Sequence, residues 1–507
     1  MGLKPLVLDG PDLSIEDVVQ VAREYRLVKI SKQAEKKIQE SAALVQSFVE
    51  DEKLVYGITT GVGDLARVSI SLEELELLQQ NLLESHAVGV GDFFETEIVR
   101  AALLLRINSL VQGFSGVRLS TLNVLVHLLN KQVHSLVPEK GSVGASGDLA
   151  PLAHLMLPLT GKGMVELNGV HLSAVQALKQ VCLEPIKLAP KEGLALINGT
   201  QFMSAIACLG VFDGIGLIKN AEIASALSFE ALHGQTSSFE AELHNVRPHP
   251  GQVYCARNIR RLIKHSRIVD TPNEHIQDPY SLRCIPQVVG PVRDTLLFCK
   301  KIVETELNSV TDNPLIFSEE KKVLSGGNFH GEYLAFALDF LNIAISELAS
   351  IAERRIARLV DSKLSGLPSF LVSKAGVNSG FMIVQYTAAS LVSQNKGLCF
   401  PASVDSIPTS ANQEDHVSMG SISANKFREI LFNVQNVIGI EFLCASQALN
   451  FVSNSPGVGT KIAWETVREK IPFIKKDCEL YPLIHESFSL VKSNAIVSAV
   501  EQKIGAL

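Results

Sequence analysis

The segment Gly-Ser-Val-Gly-Ala-Ser-Gly-Asp-Leu-Ala-Pro-Leu-Ala-His-Leu, residues 141–155, is the stretch around which the rest of the chain is organised. Its centre, Ala145-Ser146-Gly147, places three small residues between a glycine-rich approach and a predicted helix. Asp148 is suited to cap the free N–H groups of that helix, and Pro151 fits its first turn. On composition alone the segment is a tight turn that leads into a helix. A phosphate-binding loop is a weaker interpretation, because neither of the two common glycine-rich spacings is present.

Composition narrows the class of protein. The chain has 507 residues, is 46% hydrophobic and has a mean hydropathy of +0.21, so we expect more than one core and an obligate oligomer. No apolar run reaches the roughly 18 residues of a membrane-spanning helix, and we therefore expect no membrane partner. A net charge of −7 argues against nucleic acid as a partner.

Cysteine and histidine spacing predicts neither a disulfide framework nor a metal site. The eight cysteines are scattered and form no C-x-x-C pair, and the N-terminus lacks the architecture of a signal peptide. These features predict a cytoplasmic protein. His330 with Glu332, or Asp415 with His416, could supply ligands, but no H-E-x-x-H spacing supports them, and we expect no required metal.

Hydrophobic periodicity predicts a mainly α-helical fold. We expect a short strand at 6–8, a helix over 31–49, a glycine-rich loop over 55–63 and a long helix over 332–364. The long helix carries one apolar stripe: Leu334, Leu338, Leu341, Ile345, Leu348, Ala352, Ile356 and Leu359. The change in character after Asn198 predicts two domains, 1–195 with the Ala-Ser-Gly loop and 196–507 as a bundle of long helices.

Several motifs outside this loop carry a family resemblance. They are Tyr56-Gly57-Ile58-Thr59-Thr60-Gly61, Leu196-Ile197-Asn198-Gly199-Thr200, Gln277-Asp278-Pro279-Tyr280-Ser281-Leu282-Arg283, Asn308 to Pro314, and Gly326-Gly327-Asn328-Phe329-His330. Together with Ala145-Ser146-Gly147, the set resembles the aromatic amino acid ammonia-lyases. Val62 departs from the phenylalanine that is usual there. The resemblance implies a fumarase/aspartase-like architecture and a homotetramer whose subunits share active sites.

The resemblance also implies a cofactor built from the chain. In that family the Ala-Ser-Gly segment cyclises into 4-methylidene-imidazol-5-one (MIO), so no external cofactor is expected. The residue types suit this chemistry, because glycine at 147 permits the strained backbone that ring closure requires and alanine at 145 adds little bulk. Loss of water from Ser146 leaves a methylidene group, an electrophile that no standard side chain provides.

Candidate roles follow for the remaining motif residues. Arg283 could hold the carboxylate of an amino acid substrate in a bidentate fork, and Asn198 and Gln277 are amides suited to orient the substrate and the MIO oxygen. The resemblance favours Tyr56 as the base that removes the β-proton, with Tyr280 assisting. It also implies that Phe329 packs against the MIO ring. Each of these residues also has a purely structural alternative. Arg283 could form a structural ion pair, and Asn198 could cap a helix. Tyr56 could be an exposed loop residue, and Phe329 could belong to the core.

Three residues indicate the substrate. An imidazole ring needs hydrogen-bond partners, for which a carboxylate is suited, whereas a benzene ring needs only apolar walls. Glu414, within Gln413-Glu414-Asp415-His416, resembles the histidine-specific members of the family, while the phenylalanine and tyrosine lyases carry an amide there. His86 and His330 also resemble the histidine-specific members, although His86 is less discriminating. Glu414 could instead cap a following helix.

These features favour an enzyme that converts L-histidine to trans-urocanate and ammonia. A phenylalanine or tyrosine lyase, or an aminomutase of the same family, is the first alternative. A non-catalytic helical scaffold is the second, and the intact Ala145-Ser146-Gly147 with Tyr56 and Arg283 argues against it.

Overall fold

The architecture is mainly α-helical, as the periodicity predicts. The structure is a computed structural model that describes residues 3–271 and 276–507. Within these ranges it contains twenty α-helices, nine short β-strands and six 3-10 helices. None of the strands in the described part of the chain is longer than four residues.

The α-helices are, in chain order, α1 (Ile15–Arg23), α2 (Lys32–Glu50), α3 (Leu75–His86), α4 (Thr96–Val111), α5 (Leu119–Asn130), α6 (Leu149–Met156), α7 (Ala174–Gln180), α8 (Glu192–Ile197), α9 (Gln201–Ala231), α10 (Ala241–Asn245), α11 (Pro250–Leu262), α12 (Tyr280–Arg283), α13 (Ile285–Leu307), α14 (Glu332–Val360), α15 (Ser362–Ser365), α16 (Met382–Leu398), α17 (Gly420–Leu449), α18 (Val458–Lys470), α19 (Tyr481–Lys492) and α20 (Ala495–Ile504). The 3-10 helices are Gly63–Arg67, Leu72–Glu74, Leu157–Thr160, Thr236–Phe239, Ser369–Leu371 and Ser410–Asn412.

The strands form four small sheets. They are β1 (Leu6–Leu8), β2 (Val28–Ile30), β3 (Val90–Phe93), β4 (His134–Ser135), β5 (Pro138–Lys140), β6 (Met164–Leu167), β7 (Val170–Ser173), β8 (Leu315–Phe317) and β9 (Lys322–Leu324). β1 pairs with β2 in parallel, whereas β3–β5, β4–β6–β7 and β8–β9 are antiparallel. β6 and β7 form a hairpin, with Leu167 paired to Val170 next to its turn.

Local signals in the sequence place several helix starts correctly. Ser14 and Asp17 form a reciprocal capping box at the start of α1, and the hydroxyl of Ser31 accepts the Ala34 N–H at the start of α2. The predicted strand at 6–8 and the predicted helix over 31–49 are confirmed to within a residue at each end.

The chain divides into two compact units, each made of three segments. Unit 1 contains Met1–Phe212, Lys300–Asp339 and Pro401–Asn425, and unit 2 contains Asp213–Cys299, Phe340–Phe400 and Lys426–Leu507. The expected domains at 1–195 and 196–507 stay a prediction.

The long helix α14 confirms the apolar stripe. All eight stripe residues, from Leu334 to Leu359, are completely buried. The helix ends at Val360, however, and not at Leu364. The Asp361 carboxylate there accepts the Lys363 N–H and begins the separate short helix α15, because an aspartate cap favours a new helix start over continuation.

Unit 2 also buries an ion pair. The Arg355 guanidinium donates to both carboxylate oxygens of Glu441, at 2.9 Å for Nη2 to Oε2, and the Ser228 hydroxyl donates to Glu441 Oε1 at 2.7 Å. All three residues are fully buried. The pair therefore joins α9, α14 and α17 through one buried polar cluster.

Two helices contradict the expectation that no apolar run is long enough to span a membrane. By length and composition alone, α9 and α14 would pass as membrane spans. The most apolar stretch of α9 is 78% buried inside the structure, and that of α14 is 67% buried. Core helices of soluble proteins can have the same length and composition. The match is weak evidence for a membrane.

Candidate active site

The Ala-Ser-Gly turn lies directly against the Asn198–Gly199 segment. Gly147 has φ +72°, and a Cβ atom at this position would overlap the carbonyl oxygen of Gly199. The next N–H, from Asp148, donates to that same oxygen at 2.7 Å. Only glycine combines this left-handed backbone with so close an approach. The residue type at 147 is therefore required by the packing as well as by the turn.

The approach to the turn is held by the segment that follows Glu414. The Met419 N–H donates to the Val143 carbonyl at 2.9 Å, and the Ser418 hydroxyl donates to the Gly144 carbonyl at 3.1 Å. Ala145 packs in a small apolar cluster with Ala402, Val417 and Met419. Residues 143–145 and 417–419, which are distant in sequence, thus pack together next to Ser146.

Ser146 lies between two of the predicted site residues. Its hydroxyl donates to Glu414 Oε1 at 2.9 Å, and its carbonyl accepts the side-chain amide of Asn198 at 3.2 Å. Asn198 is 3% exposed, and its Oδ1 has no hydrogen-bond partner. Buried amide oxygens are normally satisfied, so Oδ1 remains available to a bound group.

Glu414 is oriented by its own turn. Its Oε2 accepts the Thr409 hydroxyl at 2.7 Å, and its main chain pairs with that of Thr409. Between them, Ser410, Ala411 and Asn412 all have positive φ, between 50° and 67°. Three consecutive non-glycine residues in this region store backbone strain, which is typical of functional sites.

The loop that carries Tyr56 lies beside this turn. The Tyr56 hydroxyl accepts the Gly63 N–H at 3.1 Å, and a Cβ at Gly63 would lie 3.0 Å from Ser410 Oγ. Tyr56 is half-buried, and the predicted loop over 55–63 is confirmed.

His86, the last residue of α3, lies within electrostatic reach of Glu414. Burial is the largest effect and lowers the pKa of His86 below its usual range, while a backbone hydrogen bond at Leu82 and the negative charge of Glu414 act in the opposite direction. A neutral imidazole is therefore favoured, with one ring nitrogen able to donate and the other able to accept.

Asp148 does not cap the helix that it begins, which corrects the sequence expectation. No side-chain cap is present at the start of α6. Its Oδ2 accepts the N–H groups of Phe202 and Met203, at 2.9 and 3.0 Å, in the first turn of α9, and its Oδ1 accepts the Ser421 hydroxyl at 3.0 Å. Burial raises the pKa of Asp148 to about 7 despite these donors.

Phe329 is half-buried in the segment between β9 and α14, in unit 1. Its predicted packing against a ring at Ser146 stays a prediction. Unit 1 therefore holds Tyr56, His86, Ala145, Ser146, Gly147, Asn198, Phe329 and Glu414. Hydrogen bonds or electrostatic contacts link Ser146, Asn198, Glu414 and His86.

Unit 2 holds the other three predicted residues. Gln277 and Arg283 line a cavity of about 400 Å³, and the Arg283 guanidinium lies 4.7 Å from the centre of the Tyr280 ring. Arg283 Nε is buried without a hydrogen-bond partner. The Tyr280 side chain is 71% exposed. An open cavity with an unpaired guanidinium N–H is suited to a carboxylate.

Thr409 is a residue of the site that the sequence did not predict. Its hydroxyl orients Glu414, but no local pattern shows that a side chain five residues earlier folds back across a strained turn. The neighbouring Thr409-Ser410-Ala411-Asn412 run indicated only a polar approach to a helix. The structure identifies the contact because the three left-handed residues reverse the chain.

Known proteins match this chain over nearly its whole length. A family model described as aromatic amino acid lyase matches residues 13–469, and the chain belongs to that family. A histidine ammonia-lyase 2 from Fusobacterium nucleatum is 52% identical over 508 residues, with 99% of each chain covered.

Two solved structures extend the comparison to the fold. A histidine ammonia-lyase from Trypanosoma cruzi has a TM-score of 0.92 and 41% identity, covering 99% of this chain and 96% of its own. A tyrosine aminomutase from Streptomyces globisporus has a TM-score of 0.94 and 37% identity, covering 99% of both chains. The fold is thus the helical, fumarase-like fold of the aromatic lyases, and the chain is a carbon–nitrogen lyase.

The raised pKa of Asp148 predicts a pH-dependent stability. Between pH 3.8 and about 7 the folded state holds a proton on this carboxyl that the unfolded chain has released. The contribution of this proton to the free energy of unfolding is complete below pH 3.8 and is lost as pH rises through about 7. At about 1.4 kcal/mol per pKa unit, it amounts to a few kcal/mol.

Asp148→Asn mimics the protonated carboxyl, so its free energy of unfolding is expected to fall less than that of the wild type over this range. Urea unfolding at several pH values measures the difference, with the exposed Asp415→Asn as the control. Parallel pH profiles for Asp148→Asn and the wild type would contradict the assignment.

Proposed function

We propose that this protein eliminates ammonia from L-histidine to give trans-urocanate, in a catabolic reaction. The observation that carries this proposal is the placement of Glu414, whose Oε1 lies 2.9 Å from Ser146 Oγ with His86 in electrostatic reach. A carboxylate and a neutral imidazole beside the reactive loop offer an acceptor and a donor to the two ring nitrogens of a histidine substrate. A benzene ring would leave both unsatisfied.

The cofactor in this proposal is MIO formed from Ala145, Ser146 and Gly147. The chain around these residues fits such a group: the left-handed Gly147 is pressed against Gly199, and buried Asn198 has an unused Oδ1 and an amide that faces the Ser146 carbonyl. MIO supplies an electrophile that activates the substrate for loss of its amino group. No external cofactor is required.

Glu414 takes a second role from its contact with Ser146. The Ser146 hydroxyl, which now occupies Glu414 Oε1, is the group lost as water when the cofactor forms. Its loss leaves Oε1 with a free lone pair at the position where the imidazole is to be bound. Thr409 still holds Oε2, so the carboxylate keeps its orientation.

The remaining residues bind the substrate and move its proton. Arg283 holds the carboxylate through its unpaired guanidinium N–H, while Asn198 and Gln277 orient the amino acid. Tyr56 removes the β-proton, and Tyr280 assists. Phe329 packs against the cofactor ring.

The related lyases and aminomutases are the runner-up. An aminomutase reaction is an alternative because a tyrosine aminomutase has the same fold, with a TM-score of 0.94. A carboxylate at Glu414 is the feature that favours histidine. Release of ammonia distinguishes a lyase from a mutase, which retains the amino group in its product.

The active assembly in this proposal is a homotetramer in which more than one subunit completes each site. Unit 2 exposes an apolar groove of about 560 Å³ between α13 and α14, lined by Val288, Pro291, Val292, Phe298, Phe340 and Ile343. Phe298, Phe340 and Ile343 are 54%, 44% and 49% exposed. Large side chains so exposed on core helices indicate a surface that another subunit covers.

We place the enzyme in the cytoplasm. All eight cysteines, which lie within the described residues, are free thiols, and this suits a reducing compartment.

Ser146→Ala tests the cofactor. Alanine has no hydroxyl to lose, so kcat for L-histidine is expected to fall by several orders of magnitude. Intact-mass measurement should show the loss of two waters in the wild type and not in the variant. Thermal unfolding and light scattering control for folding and assembly. Turnover close to that of the wild type in a folded Ser146→Ala protein would eliminate the MIO proposal.

Glu414→Gln tests the substrate. Glutamine replaces the charged acceptor by a neutral amide and weakens its hydrogen bond to the imidazole N–H by about 1–3 kcal/mol, so kcat/KM for L-histidine is expected to fall roughly 10- to 100-fold. The value for L-phenylalanine, a poor substrate, should stay the same or rise slightly. Asp415→Asn, an exposed neighbour, should leave both values unchanged.

Because Glu414 contacts Ser146, the cofactor content of Glu414→Gln must be measured by ultraviolet difference absorption and mass, and the rates expressed per cofactor. An equal proportional loss for both amino acids would show that Glu414 does not determine specificity.

Ile343→Glu tests the assembly. A charge in the apolar groove should dissociate the tetramer and lower activity at a fixed subunit concentration. Val170→Glu, which introduces the same charge at an exposed position of β7, should leave a tetramer. Light scattering with parallel activity measurements separates the cases. A wild-type protein that is fully active as a monomer would refute the shared-site assembly.

A further inference from the structure

Three side chains of unit 1 form a cluster that the proposed reaction does not use. His330 and Glu332 lie at the start of α14, and His416 follows the strained turn at 410–412. One ligand atom from each lies within 4.8 Å of the other two. We refer to these three residues as the His/Glu cluster. It joins two stretches that are distant in sequence, which is why no local metal-binding spacing predicted it.

The hydrogen bonding of His330 fixes which ring nitrogen is free. Its Nε2 faces the main-chain oxygen of His416 at 3.4 Å. A carbonyl oxygen can only accept, so Nε2 carries the hydrogen, and in a neutral ring Nδ1 then presents a lone pair. A metal-binding histidine characteristically donates from its other nitrogen to a carbonyl in this way.

That lone pair faces a second electron-rich atom. His330 Nδ1 lies 3.9 Å from Glu332 Oε2, and Oε2 is buried without a hydrogen-bond partner. Two acceptors this close to each other repel unless a cation or a proton lies between them. The arrangement therefore leaves a position for positive charge.

The third ligand and an entry path are also present. The rings of His330 and His416 are stacked, 5.8 Å apart at 24°, so both imidazoles border the same space. His416 is exposed, and the side chains of His330 and Glu332 are 29% and 27% exposed. An ion can reach the cluster from solvent without opening the fold.

We propose that the His/Glu cluster binds a divalent transition-metal ion of the zinc class. Two imidazole nitrogens and one carboxylate oxygen are a ligand set that Zn²⁺ and its neighbours prefer, whereas Mg²⁺ and Ca²⁺ require more oxygen ligands. Tetrahedral Zn²⁺ needs ligand atoms about 3.4 Å apart, which small side-chain rotations from the present spacing provide. Water completes the fourth position.

The position of the cluster gives the ion a role in organising the site. His330 is adjacent to Phe329, and His416 is two residues from Glu414. An ion bound to both segments would hold them together. This inference does not depend on the identity of the substrate, since it concerns binding alone.

Equilibrium dialysis of the full-length, chelator-treated protein against Zn²⁺, followed by elemental analysis, tests the proposal. The wild type is expected to bind one ion per chain that Glu332→Gln and His416→Gln each bind at least tenfold more weakly. Glu320→Gln and His127→Gln make the same chemical changes at exposed positions and should retain it. The exposed thiols of Cys182 and Cys478 are present in every variant. Any zinc that they bind is therefore the same in all variants and does not affect the difference between them.

Two further measurements keep the test decisive if a variant folds poorly. Co²⁺ bound to the wild type should give visible ligand-field absorption that excess Zn²⁺ removes, without the thiolate charge-transfer band of a cysteine site. Zn²⁺ should raise the melting temperature of the wild type, because binding to the folded state alone stabilises it. The proposal is overturned if wild type and Glu332→Gln bind equal amounts of zinc. It is equally overturned if the wild type binds none at the cluster, in which case a proton bridges Nδ1 and Oε2.

Discussion

The contact between Gly147 and the Gly199 carbonyl is the constraint on which the site in unit 1 depends. It forces a left-handed backbone at Gly147 and excludes any side chain there. It also places the Ser146 carbonyl within reach of the Asn198 amide. A turn that would be flexible in isolation is thereby held in one strained conformation, because the neighbouring segment is itself fixed at the start of α9. Such a prepared backbone is what a ring closure between near neighbours in the chain requires.

Asp148 reinforces that constraint from the other side. Its N–H is tied to Gly199, and its carboxylate accepts the first free N–H groups of α9. One residue thus joins the reactive turn to the end of a 31-residue helix. Burial of this carboxyl is unfavourable for its charged form, which explains the pKa of about 7 and shows that rigidity of the turn is maintained at some cost in stability.

Glu414 links the Ala-Ser-Gly turn to the strained turn at 410–412. Its turn contains three left-handed residues, and its two oxygens are used by Ser146 and Thr409. The same stretch of chain supplies His416 to the His/Glu cluster. It also supplies Ser418 and Met419, which donate hydrogen bonds to the carbonyls of Gly144 and Val143 before the Ala-Ser-Gly turn. Residues 409–419 therefore contribute side chains or main-chain groups to the Ala-Ser-Gly turn, to the orientation of Glu414 and to the His/Glu cluster.

The sequence by itself determined the helical class, the buried stripe of α14, the helix start at Ser31, and the family. These features depend on local periodicity, capping and short motifs, which act over a few residues. Only the tertiary structure decided that Asp148 caps α9 instead of α6, that Thr409 orients Glu414, and that His330, Glu332 and His416 converge. Each of these depends on which distant segments meet, or on a reversal of the chain through left-handed residues. The physical reason is that a carboxylate or imidazole is satisfied by whichever donor, acceptor or cation the fold brings within about 3 Å, and sequence spacing does not specify that neighbour.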